Sequence, residues 1–92
     1  MATPVTVEVL HHRRTGLGRF ESVVVRLTSA RSFRSVGVGV DVLRKREHLL
    51  LGQGSHTISD VRPGTREATV LVPLQSRSWA SARADAYITM ML

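Results

Sequence analysis

Ser35-Val36-Gly37-Val38-Gly39-Val40-Asp41-Val42 places four valines at every second position, with only glycine or aspartate between them. In an extended chain successive side chains point to opposite faces, so the valines line one face and the small residues the other. A helix would scatter them around its circumference, so the stretch reads as a β-strand with one buried face. Glycine inside a strand weakens it, and marks a bulge or a close approach by another backbone or a partner.

The same rhythm runs outward in both directions. Upstream, Val23, Val25 and Leu27 alternate with Ser22, Val24, Arg26 and Thr28, and a polar break from Ser29 to Ser35 follows. Before them Val5, Val7 and Val9 alternate with Thr6 and Glu8, and Gly16 and Gly18 mark a loop. Downstream, the basic corner Arg44-Lys45-Arg46-Glu47 leads to a short strand, His48-Leu49-Leu50-Leu51. Gly52-Gln53-Gly54-Ser55 reads as a connection, and Thr57 to Val61 as a further short strand. Arg62-Pro63-Gly64-Thr65 has Pro and Gly at the second and third positions of a type II turn. Ala68, Val70, Val72 and Leu74 form the next strand, with Pro73 marking its end or an edge position. Ala82, Ala84, Ala86, Ile88, Met90 and Leu92 alternate with Arg83, Asp85, Tyr87, Thr89 and Met91. Alanine's helix preference makes a terminal helix from Trp79 the competing reading. Strict alternation through Tyr87, Ile88 and Thr89 favours a strand.

Composition agrees. Thirteen valines against two isoleucines and four aromatics give an aliphatic core of β-branched residues suited to a pleated surface. Ninety-two residues make one domain, 1–92, with no room for a second core. Without cysteine neither a disulfide nor a thiolate metal site forms. Met1-Ala2-Thr3-Pro4-Val5 lacks a basic start followed by an apolar run, so no signal peptide is visible. No apolar stretch approaches the ~20 residues that span a bilayer. The expected localisation is cytoplasmic at synthesis, with a virion as a further destination. The net charge of +6 rests on twelve arginines and one lysine. Such a surface attracts phosphate backbones, anionic membranes or acidic proteins. A GC-rich coding sequence would produce the same Arg-for-Lys bias.

From about Phe20 to Leu92 the chain resembles bacterial immunoglobulin-like sandwich domains of the cell-adhesion-related (CARDB-like) type. The likeness lies in Ser22–Thr28, the break Ser29–Ser35, Val36–Leu43, and the turn Asp60-Val61-Arg62-Pro63-Gly64-Thr65 leading into Ala68–Leu74. The Asn-x-Gly often found in that family's first break is replaced by Thr28-Ser29-Ala30-Arg31-Ser32. The resemblance implies a sandwich with a binding or spacer role, and transfers no active site. The expected fold is therefore all-β, a small Ig-like two-sheet sandwich of six to seven antiparallel strands, with a small OB-like barrel as the alternative.

Chemistry is harder to find. His11 and His12 are adjacent on a strand and point to opposite faces, so they do not chelate one metal. His48 and His56 flank the glycine connection and would face each other across a hairpin, but no carboxylate cluster accompanies them. A Ser–His–Asp assembly lacks any nucleophile context, and a hydrolytic site would need a buried histidine beside an acid in a cleft. Gly16-x-Gly18 and Gly37-x-Gly39 open no helix and lack the phosphate-loop ending. No catalytic residue, metal site or cofactor is assigned. The leading reading is a non-catalytic structural or interaction module, a homo- or hetero-oligomeric subunit of a larger assembly such as a phage virion (a capsid decoration or tail protein). Val24, Leu43, Leu71 and Met91 fall on the supposed outer face, where protein partners would cover them. The alternative is a nucleic-acid-binding barrel. In either case Arg13, Arg14, Arg19, Arg44, Lys45 and Arg46 form two basic loops that would meet an anionic partner.

Overall fold

The computed structural model describes residues 4–92, so Met1-Ala2-Thr3 of the N-terminal segment lies outside it. Six strands follow one another: β1 Val5–Thr15, β2 Phe20–Ser29, β3 Phe33–Arg44, β4 Leu50–Val61, β5 Gly64–Pro73 and β6 Ala82–Met91. Every pairing is antiparallel, and two three-stranded sheets result, ordered β1-β2-β5 and β4-β3-β6. At their edges β4 lies beside β5 and β1 beside β6. Among the described residues a single bridge, Gly52 to Leu74, joins the sheets, and the fold is that of a small sandwich. Among the described residues no helix is long and apolar enough to cross a membrane.

The alternating valines fill the space between the sheets. The buried apolar set is Val5, Val23, Val25, Leu27, Val36, Val38, Val40, Val42, Ile58, Val61, Val70 and Val72. Each such side chain removed from water contributes on the order of 1.5–3 kcal/mol. The segment from Ala82 is a strand, with Ala82, Ala84, Ala86 and Ile88 packed against the core. On the outer face of β3 the strand's own neighbour covers the glycines. The Tyr87 ring lies over Gly39 and Thr89 over Gly37, where a Cβ would collide.

One expected connection does not exist. Gly52-Gln53-Gly54-Ser55 is the middle of β4, which runs unbroken from Leu50 to Val61. A Cβ on Gly52 would run into the Pro73 carbonyl and the Leu74 backbone, so glycine here lets β4 lie directly on the end of β5. His48 therefore sits in the β3–β4 turn and His56 within β4, and no hairpin sets them face to face. Only Arg62 and Pro63 connect β4 to β5; Gly64, expected at the third position of a turn, instead opens β5, with a φ of 121° that glycine alone adopts easily.

Bulges change which residues face inward. In β1, Val9 pairs with Val25 but His11 with Val24, so Leu10 is an extra residue. Beyond it the parity inverts, and His12 stands opposite Val23 and Arg14 opposite Glu21. A bulge at Thr89 shifts the register of β6. Met91 is brought opposite buried Val36, yet at the end of the strand it remains 43% exposed.

Candidate functional site

In an antiparallel sandwich every second connection lies at the same end. Residues 16–19, 45–49 and 74–81 therefore share one end, and the long 74–81 segment ties the other two together. Leu74 N donates to Arg19 O and Ser78 N to Gly18 O, both at 2.8 Å. On the other sheet Gln75 N donates to Leu51 O at 2.8 Å, and Lys45 N to Ser81 O at 3.0 Å. Backbone bonds thus fix this end from both sides.

Beneath the 74–81 segment lies a cluster that the β1 bulge creates. Glu21, at 3% exposure, faces the interior from the start of β2. Arg14 Nε donates to its Oε1 at 2.6 Å, and His12 Nδ1 to its Oε2 at 2.5 Å. The Arg14 guanidinium also donates through Nη1 to Ser78 O and through Nη2 to Ala80 O, the latter at 2.9 Å. One planar fork thereby holds the carbonyls on both sides of Trp79. Every buried polar side-chain atom among the described residues has a hydrogen-bond partner.

The six cations chosen from the sequence all gather at this end, but they differ in role. Arg14 has its side chain only 12% exposed and is committed to Glu21 and the loop carbonyls, so it is not a partner-facing residue. Arg44 pairs with Glu47 at 3.3 Å. Arg13, Arg19, Lys45 and Arg46 are exposed, and among the described residues they form no ion pair. Arg44, Lys45, Arg46, Glu47, Ala80 and Ser81 surround an open hollow of about 580 Å³.

Four residues that the sequence reading passed over complete the surface. Arg77 adds another exposed, unpaired cation among the described residues. Trp79 is 70% exposed, Leu17 73% and Leu49 55%. The Trp79 ring lies against Gly18, where a Cβ would stand 3.1 Å from its Cε2. Leu17, at the tip of the β1–β2 turn, has φ of 56°, a conformation in which a leucine is strained. The available signal was topological: once the strands alternate in direction, Arg77 and Trp79 must share an end with both basic turns.

The four apolar residues chosen as interface do not converge. Val24 and Leu71 share the outer face of the first sheet, in rows with His11–Thr69 and Arg13–Ser22. Leu43 lies on the second sheet beside Leu50 and Arg83, and Met91 is at its far end. Of the histidines, His11, His48 and His56 are exposed, and His12 alone meets an acid. Both oxygens of that acid are occupied, by His12 and Arg14. No protein-family model matches the chain, and no curated protein is recognisably similar to it in sequence.

Proposed function

We propose that the chain is a non-catalytic interaction module, a subunit of a larger assembly that presents its cationic loop end to an anionic partner. The supporting observation is the gathering of Leu17, Leu49 and Trp79 among unpaired cations on a hydrogen-bonded platform. Solvent-exposed Trp, Leu and Arg side chains fixed in place have the chemistry of protein interface anchors. A virion is the setting we favour, with the domain serving as a capsid decoration or tail protein held between larger neighbours. A nucleic-acid reading draws on one feature of the same surface, an exposed tryptophan beside arginines, which is how bases are stacked on single-strand binders.

The test compares equal charge changes at the two ends of the sandwich. Polyglutamate binding is followed by sedimentation at roughly 50 mM and 500 mM salt. The triple variant R44E/K45E/R46E loses the low-salt binding, whereas R31E/R34E/R62E, altered at the opposite end, retains most of it. Equal losses in both variants would reduce the loop end to ordinary net charge and remove the proposal.

A further inference from the structure

Arg14 and Glu21 pose a question that stability does not answer. A charged pair buried in a small valine-rich sandwich costs desolvation, and well-packed apolar residues often serve as well or better. Arg14 could be replaced in that sense, but nothing apolar could do what its three donors do. They fasten Glu21 below and the Ser78 and Ala80 carbonyls above, on either side of Trp79. Ser78 N is tied to Gly18 O, and Ala80 N donates to Ser78 Oγ at 3.2 Å. The loop backbone is over-determined at the one place where the chain's largest side chain points into water.

We infer that Trp79 is the anchor by which the loop end docks into an apolar pocket on an acidic protein surface, and that Arg14, held by Glu21 and His12, positions it. The inference rests on the interaction-module reading and names its anchor and partner class. Fixing the backbone around Trp79 before binding removes an ordering cost that a free loop would meet on association. Leu17, next to the Gly18 on which the Trp79 ring lies, and Leu49, in the β3–β4 connection, add exposed apolar surface to the same end, and Leu17 does so despite a strained backbone. Arg13, Arg19, Lys45, Arg46 and Arg77 surround these residues with positive charge, so the complementary surface is acidic around an apolar centre. Against a phosphate backbone the two leucines would have no counterpart, and one tryptophan stacks one base. The side chains therefore favour a protein over a nucleic acid.

Trp79 is the chain's only tryptophan, so its emission reads the anchor directly. The probes are a synthetic peptide of Glu and Asp interspersed with Leu and Phe, polyglutamate, and a dT oligonucleotide, each carrying its own fluorophore. The acidic apolar peptide is expected to bind saturably at roughly 50 mM salt, shift Trp79 emission to the blue, and bind about tenfold more tightly than polyglutamate. R14K keeps the charge but cannot span both carbonyls. It should weaken the peptide several-fold and give Trp79 a fast component in its anisotropy decay, which R13K should not. E21Q, which retains the side-chain shape, provides the same readout if R14K unfolds. Saturating peptide that leaves Trp79 emission unchanged overturns the anchor and leaves the module reading intact. A dT oligonucleotide that binds more tightly and perturbs Trp79 overturns the partner class. Binding of no probe at all overturns the module reading and the anchor together.

Discussion

Both ends of the sandwich are rich in arginine, and they differ in almost everything else. Opposite the loop end, Arg31, Arg34, Arg62 and Arg66 are also exposed. There, however, Arg31 stacks over Phe33 at 5.0 Å from the ring centroid, and Arg66 donates to Ser59 O at 3.1 Å. The connections at that end, Ala30–Ser32 and Arg62–Pro63, are short and present no large apolar side chain. At the loop end a long segment is bonded to both hairpins and carries Trp79 in solvent, and the two hairpin connections expose Leu17 and Leu49. Arginine content therefore does not distinguish the two ends. Exposed apolar surface alone does not separate them either, since Met91 and Leu92 are exposed at the far end. What does is a tryptophan held on a segment bonded to both sheets, together with the buried charges that fix it.

That contrast can be broken most forcefully at Arg14. Arg14→Ala leaves Glu21 buried without its cation and should destabilise the fold by about 3–5 kcal/mol. Arg31→Ala at the opposite end should change stability by less than about 0.5 kcal/mol. Urea unfolding monitored by circular dichroism measures both, and a small effect at Arg14 would show that the cluster does not organise its end. Next in size is Gly52→Ala, which forces β4 away from the Pro73 carbonyl at a cost of about 1–3 kcal/mol. Its counterpart Gly64→Ala meets no neighbour, and its cost, on the order of 1 kcal/mol, comes from φ alone. Leu17→Asn should move stability the other way, gaining about 0.5–1 kcal/mol by easing the strained turn while weakening contact with the acidic apolar peptide. A loss of stability would mean that Leu17 packs usefully in the free protein. The smallest effect lies away from both ends. Tyr87 Oη donates to Asp41 Oδ1 at 2.9 Å, and this hydrogen bond, aided by desolvation and by the carboxylate charge, raises the phenol above its usual value near 10. A raised folded value means the contribution to stability is full below pH 10 and is lost as pH rises through the folded midpoint. Tyr87 is the only tyrosine, so absorbance of its phenolate gives the midpoint, and Asp41→Asn should lower it with little effect at either end.

The strands were legible wherever valine alternates with something polar or small. Val23 to Leu27, Val36 to Val42 and Ala68 to Val72 lie in strands with the expected face inward. Even the alanine-rich C-terminal segment declared itself through Tyr87 and Ile88. Glycine misled in β4, because the residue type that loosens a turn also permits two strands to cross in contact. Bulges were the second blind spot. Leu10 and Thr89 look like ordinary members of a sequence pattern, yet each shifts the register beyond it, and in β1 the shift inverts the faces. The inversion in β1 turned Arg14 from an apparent surface cation into a buried clamp, and made Glu21 its partner. The six basic residues lie at one end of the sandwich, although Arg14 is turned inward there. Trp79 and Arg77 were not seen with them, because their place depends on strand direction rather than on any local motif.

The way the 74–81 segment is fastened has a mechanical consequence. A pull applied at Trp79 does not peel one strand from an edge. It passes through Gly18 and Arg19 into the first sheet and through Lys45 and Leu51 into the second, so bonds in both sheets share the load. Arg14 couples the same tension to β1 and, by way of Glu21, to β2. A domain strained at this point should resist until several bonds fail together.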